Sequence, residues 1–94
     1  MSYYESGICS YYTGGGITAS GEPFNEYDMT AAHRSLPFGT MVRVKHNGPS
    51  VVVRINDRGP FVAGRIIDVS RPRGAAAAMG IIDLGVVHCE IETL

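Results

Sequence analysis

The polar side chains here that could do chemistry are the carboxylates Glu22, Asp57 and Asp68 and the imidazole of His33, with Arg58 and Arg65 near the two aspartates. Cleaving a glycosidic bond needs a proton donor at the leaving oxygen and a second group that deals with the positive sugar carbon. Glu22, Asp57 and Asp68 could fill those roles if the fold gathers them. His33 could orient or protonate one of them. Each also has a plainer reading: Glu22 as a solvated loop acid, His33 as a hydrogen-bonded turn residue, Asp57 as a turn acid, and Asp68 as a turn-former holding backbone amides. Other chemistries lack their signatures. One histidine among scattered acids has no metal-ligand spacing. No serine lies in a nucleophile elbow, neither cysteine has the setting of a nucleophile, and Gly14 to Gly16 does not open a helix after a strand, so it is not a nucleotide loop. No metal and no cofactor are expected.

The element that must position Asp57 is Val51 to Phe61. Val51, Val53 and Ile55 fall on one face at period two, Val52 and Arg54 on the other. Asn56, Asp57, Gly59 and Pro60 then punctuate the run. Asp68 sits inside a shorter strand, Gly64 to Ser70, whose Arg65–Ser70 stretch is only loosely related to Arg54–Phe61 as a half-repeat. Met41 to Lys45 is a clear strand, joined to Val51–Phe61 through the hairpin signal Asn47-Gly48. Ile8 to Thr13 and Val86 to Thr93 read as the first and last strands, with Val87, Cys89 and Ile91 on one face of the latter. Met29 to His33 is either a strand or one helical turn. Met1 to Gly7 reads as a flexible lead-in. A helix is expected from Ser70 or Arg71 to Gly80, with Pro72 in its first turn and Ala75 to Ala78 propagating it. Short strands, many turns and one short helix indicate a small all-β barrel, closed to avoid open edges.

At 94 residues the chain is one small domain, 1–94, with no room for a second core. Its 45% apolar and 18% charged residues are those of a folded protein. A net charge of −1 gives no basic field for nucleic acid. No apolar run could span a bilayer, and no signal peptide opens the sequence. Cys9 and Cys89 lack zinc-site spacing. They are either two free thiols or a disulfide, which would close a loop of about eighty residues for roughly 4 kcal/mol or more and imply an oxidising compartment.

Four ordered segments resemble one family. They are Thr18-Ala19-Ser20-Gly21-Glu22-Pro23-Phe24, Thr30 to Thr40 with His33, Val51 to Phe61 with Asn-Asp-Arg-Gly-Pro-Phe, and Gly64 to Ser70 with Asp68. Together they are similar to the rare lipoprotein A family, over about Cys9 to Leu94. That resemblance implies a six-stranded double-psi β-barrel, shared with expansins, barwin-like proteins and some endoglucanases. It implies a septal or cell-envelope lytic transglycosylase acting on peptidoglycan glycan strands, some members preferring strands stripped of stem peptides. Glu22, His33, Asp57 and Asp68 carry over as catalytic positions, with Asp57 the principal acid/base and Asp68 the runner-up. Arg58, Arg65, Tyr12, Thr18 and Phe61 are the expected substrate-binding residues, and Tyr11, Tyr12 and Phe61 could stack on sugar faces or simply pack the barrel.

The implied reaction makes a 1,6-anhydro product, with the muramic acid C6 hydroxyl rather than water as nucleophile. A donor working near neutrality needs its pKa raised by burial or a second carboxylate, which a close Arg58 or Arg65 would oppose. The sequence departs from the family at Asn25, where many relatives carry an aspartate, and at Pro72-Arg73-Gly74. No lipoprotein signal and no C-terminal glycan-binding repeat are seen in it. Cys9 and Cys89 lie outside the family motif and are expected to join the first and last strands. A monomer in the periplasm or extracellular envelope is expected. The competing functions are a non-catalytic wall-binding or wall-loosening module of expansin type and a barwin-related β-1,4-glucanase.

Overall fold

A computed structural model describes residues 3–12, 16–48, 50–70, 76 and 85–94. Its strands are β1 (Tyr4–Tyr12), β2 (Thr30–Ala32), β3 (Met41–Lys45), β4 (Ser50–Asp57), β5 (Arg65–Ser70) and β6 (Val87–Thr93). They close into a barrel in the order β1-β5-β2-β4-β3-β6, so no strand edge is left open. Two pairs are parallel, β1 with β5 and β2 with β4; the rest are antiparallel. This is the expected six-stranded double-psi β-barrel.

Alternation fills the interior. Val42 and Val44 of β3, Val53 and Ile55 of β4, Ile67 and Val69 of β5, and Cys89 and Ile91 of β6 are all buried, and the intervening residues of β3 and β6 are exposed. The β3–β4 hairpin turns through Asn47 and Gly48, both at positive φ (51° and 101°). That geometry matches the strand twist and favours Asn-Gly. Within Met29–His33 the central Thr30–Ala32 resolve as strand: β2 lies between β4 and β5, and all three residues are buried.

Two expectations change, and a third lies outside the described residues. The lead-in is strand from Tyr4 onward, because Tyr4 to Cys9 pair with Glu92 to Val87. Gly7 lies so close to β5 that an added Cβ would sit 2.7 Å from Ile66 Cγ2. The cysteine bridge is not made: Cys9 and Cys89 are both buried free thiols. Cys9 pairs with Val87 and Gly7 with Cys89, so the cysteines are diagonal neighbours. The thiols meet, and the Cys9 thiol is pushed up by its hydrogen bond to Cys89 and by burial. Finally, the helix expected over 70–80 falls outside the described residues except for Ser70, which ends β5, and Ala76, which is helical and packed in the core.

Both parallel pairs are irregular at one point. Ala31 pairs with Ile55 but Ala32 with Asp57, leaving Asn56 as an extra residue on β4. Ile8 pairs with Arg65 but Cys9 with Ile67, leaving Ile66 extra on β5. A bulge re-aims the side chains that follow it. Strict alternation would send Asp57 into the barrel with Val53 and Ile55. After the bulge, Asn56 is buried and Asp57 is half-buried, its carboxylate turned to the 16–24 loop.

Candidate active site

Asp57 ends β4 with its carboxylate held on both oxygens. Oδ1 accepts the backbone N–H groups of Ala19 and Arg58, each at 2.9 Å. Oδ2 accepts the Tyr12 hydroxyl at 3.2 Å. The Ala19 amide belongs to a tight loop over 16–24. That loop is closed by the Ile17–Pro23 bridge, Thr18 N to Glu22 O at 2.8 Å and Phe24 N to Gly16 O at 2.9 Å. It docks on β4 through Ser20 N to Asn56 O at 3.1 Å. Thr18 is buried within it, 3.0 Å from the Glu22 carbonyl and 2.9 Å from Ser20 Oγ.

Asp68 reaches the same level from the other side of β2. Ala32 is the register partner of both Asp57 on β4 and Asp68 on β5. The buried Ser10 hydroxyl donates to Asp68 Oδ1. Tyr12, two residues further along β1, leans on Phe24 with ring centroids 5.2 Å apart. Its hydroxyl pKa is raised well above the usual phenol value. Burial is the largest cause, followed by the charge and hydrogen bond of Asp57, then the charges of Asp68 and Glu22. Three acids scattered over the sequence thus act on a single phenol.

Glu22 is engaged differently. Arg54 grips it with two bonds, Nη1 to Oε1 at 2.6 Å and Nη2 to Oε2 at 3.1 Å. Ser20 Oγ adds a third at 3.3 Å. Arg54 is the main reason that the Glu22 carboxyl sits below the usual carboxylate range; burial, the next largest effect, opposes it, and the Asn56 amide and Ser20 reinforce Arg54. Arg54 was visible in the sequence only as an outward residue of β4. Its one signal is that outward position three residues before Asp57.

His33 does not bring its ring to the acids. Nδ1 accepts the backbone N–H of Ser35 and of Leu36, both at 3.1 Å. Nε2 therefore carries the proton and donates to Glu5 Oε1 at 3.1 Å. The edge-on ring of Tyr3 and 3% exposure complete the enclosure. The His33 backbone serves Asp57 instead, its N–H donating to the Asp57 carbonyl at 3.2 Å. Glu5 escaped sequence reasoning because it lies in the segment read as flexible.

Arg58 lies 4.0 Å over the Phe38 ring and donates to the His33 carbonyl at 3.1 Å. Among the described residues it makes no ion pair with the Asp57 carboxylate. Arg65 opens β5, opposite Ile8 and three residues before Asp68. Phe61 is 80% exposed beyond the Asp57 turn. Tyr11 packs against the core. Asn25 caps its own turn, Oδ1 accepting the Tyr27 N–H at 2.9 Å. A cavity of about 210 Å³ lies elsewhere, on the outer face of β1, β3 and β6. It is bordered by the Arg43–Glu92 ion pair and contains none of these acids, so hydrogen bonding and register, not concavity, define the candidate site. Among the described residues no three His, Cys, Asp or Glu side chains are grouped to hold a metal.

The class these features define is a double-psi β-barrel with two acids, Asp57 and Asp68, in register on either side of β2. The chain belongs to the family described as lytic transglycolase, whose model matches residues 4–91. It is 59% identical over 95 residues to a probable endolytic peptidoglycan transglycosylase RlpA of a Nostoc species, covering 94% of this chain and 25% of that protein. It is 48% identical over 97 residues to the endolytic peptidoglycan transglycosylase RlpA of Pasteurella multocida, covering 98% of this chain and 32% of that protein. The chain thus spans about a quarter to a third of these relatives. Among solved structures it is similar to the Streptomyces papain inhibitor, with a TM-score of 0.78 at 26% identity over 97% of this chain and 93% of that one.

Proposed function

We propose that the barrel is an endolytic peptidoglycan transglycosylase domain that cleaves the bond between N-acetylmuramic acid and N-acetylglucosamine and leaves 1,6-anhydro ends. The observation that carries this reading is the placement of Asp57 and Asp68 on either side of Ala32, with the Tyr12 phenol bonded to one and in the field of both. Two carboxylates flanking one bond are what glycosidic cleavage requires. The names of the relatives point to the same substrate.

In this reading Asp57 is the principal acid/base. Its carboxyl proton passes to the glycosidic oxygen as the C1–O bond breaks. Asp68 supports the positive charge at C1. The C6 hydroxyl of the same sugar attacks C1, and its proton returns to the Asp57 carboxylate. The enzyme is regenerated without consuming water. Arg58 directs its charge to Phe38 and a backbone carbonyl, so it does not compete for the Asp57 carboxylate. Phe61, on the turn after Asp57, offers an open ring face for a sugar, with Arg65 as a further glycan contact. Residues 1–94 act as one such domain. It works as a monomer on glycan strands in the periplasm or extracellular envelope, needs no cofactor and has no nucleic-acid partner.

The test is to digest purified glycan strands and read the products by mass spectrometry. Anhydro ends support the proposal. Reducing ends mean a hydrolase, and no products mean a wall-binding module of expansin type.

A further inference from the structure

Glu22 and Arg54 are 32 residues apart in sequence and lie on different elements, yet they form the most fully engaged ion pair in the site. Both Glu22 oxygens face the Arg54 fork, and Oε1 also receives Ser20 Oγ. The positive charge of Arg54 holds this carboxylate ionised, so it is poorly placed to carry a proton to a sugar. The pair instead ties the 16–24 loop to β4. Three attachments of that loop fall on consecutive parts of the same strand: Glu22 on Arg54, Ser20 N on the Asn56 carbonyl, and Ala19 N on Asp57 Oδ1. The last of these touches the carboxylate that the proposed reaction uses.

We infer that Arg54 and Glu22 form a latch that holds the 16–24 loop on β4 and so fixes the Ala19 amide on Asp57. Both are positioning residues, and Glu22 is not a proton donor. The inference rests on the proposed reaction only for its activity readout. A bidentate arginine–carboxylate contact suits this purpose because its fork fixes direction as well as distance. Arg54 and Glu22 are 38% and 32% exposed, so the latch lies at the surface and both side chains can be exchanged without opening the core.

The first test is an exchange of partners. Glu22→Gln and Arg54→Gln should each lower kcat by about 10- to 100-fold, the range expected for misplacing a catalytic group, with KM little changed. The double exchange Glu22→Arg with Arg54→Glu should recover at least part of that loss. Glu22→Gln should also keep both limbs of the wild-type pH–rate profile. No recovery in the exchange, together with loss of the basic limb in Glu22→Gln, would make Glu22 the proton donor and overturn the inference.

The second test needs no activity. Amide hydrogen exchange, followed by NMR on the folded protein, should show the Ala19 N–H losing protection in Arg54→Gln while β3 and β6 amides keep theirs. Unchanged protection at Ala19 also overturns the latch. A wild-type protein that releases no anhydro product would sink the proposed reaction and leave this second measurement fully readable.

Discussion

Asp57 and Asp68 stand level with the same residue, Ala32, from opposite sides of β2. Two strand spacings of about 4.8 Å put their Cα atoms roughly 10 Å apart. Tyr12 enters between them in the electrostatic sense, bonded to Asp57 and raised by the charge of both. The short strand β2 therefore fixes the separation of the two acids on which the proposed reaction depends.

Asp57→Asn should lower kcat by about 100- to 10,000-fold, the usual contribution of a positioned acid or base. The variant keeps its acceptor oxygen for Ala19 and Arg58, so the fold should persist, as circular dichroism would show. Asp68→Asn should cost less. Full activity in Asp57→Asn, measured by release of anhydro sugars, would remove it as the principal residue.

Tyr12 should be visible spectroscopically. Its raised pKa means that the native state holds the phenol proton more tightly than the unfolded chain does. Stability from this group is present below the ordinary phenol value of 10.0 and is lost as pH rises above it. Absorbance titration should show a phenol that ionises later than all the others, absent in Tyr12→Phe. Above pH 10 the wild-type Tm should fall faster than that of Tyr12→Phe. Tyr3 and Tyr4 are also raised, by burial first for Tyr3 and by the Glu90 hydrogen bond first for Tyr4, and they titrate alike in both proteins.

The Glu22–Arg54 pair has the opposite sign. A lowered carboxyl pKa contributes stability above the ordinary value of 4.5 that is lost as pH falls through the folded value. At neutral pH Arg54→Gln should cost about 1 kcal/mol or less, because both groups are part-exposed. That difference in Tm should close as the pH falls from the ordinary value of 4.5 through the lowered folded value. A gap that persists in strong acid would assign the effect to lost packing of the arginine stem.

Gly7→Ala should destabilise the barrel by about 1–3 kcal/mol, as overpacking does, because the new methyl would meet Ile66 Cγ2 at 2.7 Å and the Gly64 carbonyl at 3.2 Å. Chemical denaturation would measure it. An unchanged midpoint would mean that β1 and β5 separate at no cost.

The sequence by itself determined the elements that local physics controls. Period-two burial marked β3, β4 and β6. Asn47-Gly48 fixed the hairpin, since its positive-φ turn needs no distant partner. The ordered acids and their flanking motifs marked Glu22, Asp57 and Asp68 as a set. Only the tertiary structure decided how those residues are used. Strict alternation would have pointed Asp57 inward; the extra residue Asn56, forced by pairing with β2, turns it to the loop. The aim of the His33 ring depended on Glu5 and on the Ser35 and Leu36 amides. Arg54 acquired its partner from a loop 32 residues away. Hydrogen bonds between segments remote in sequence leave no local pattern, because their energy arises only once the barrel closes.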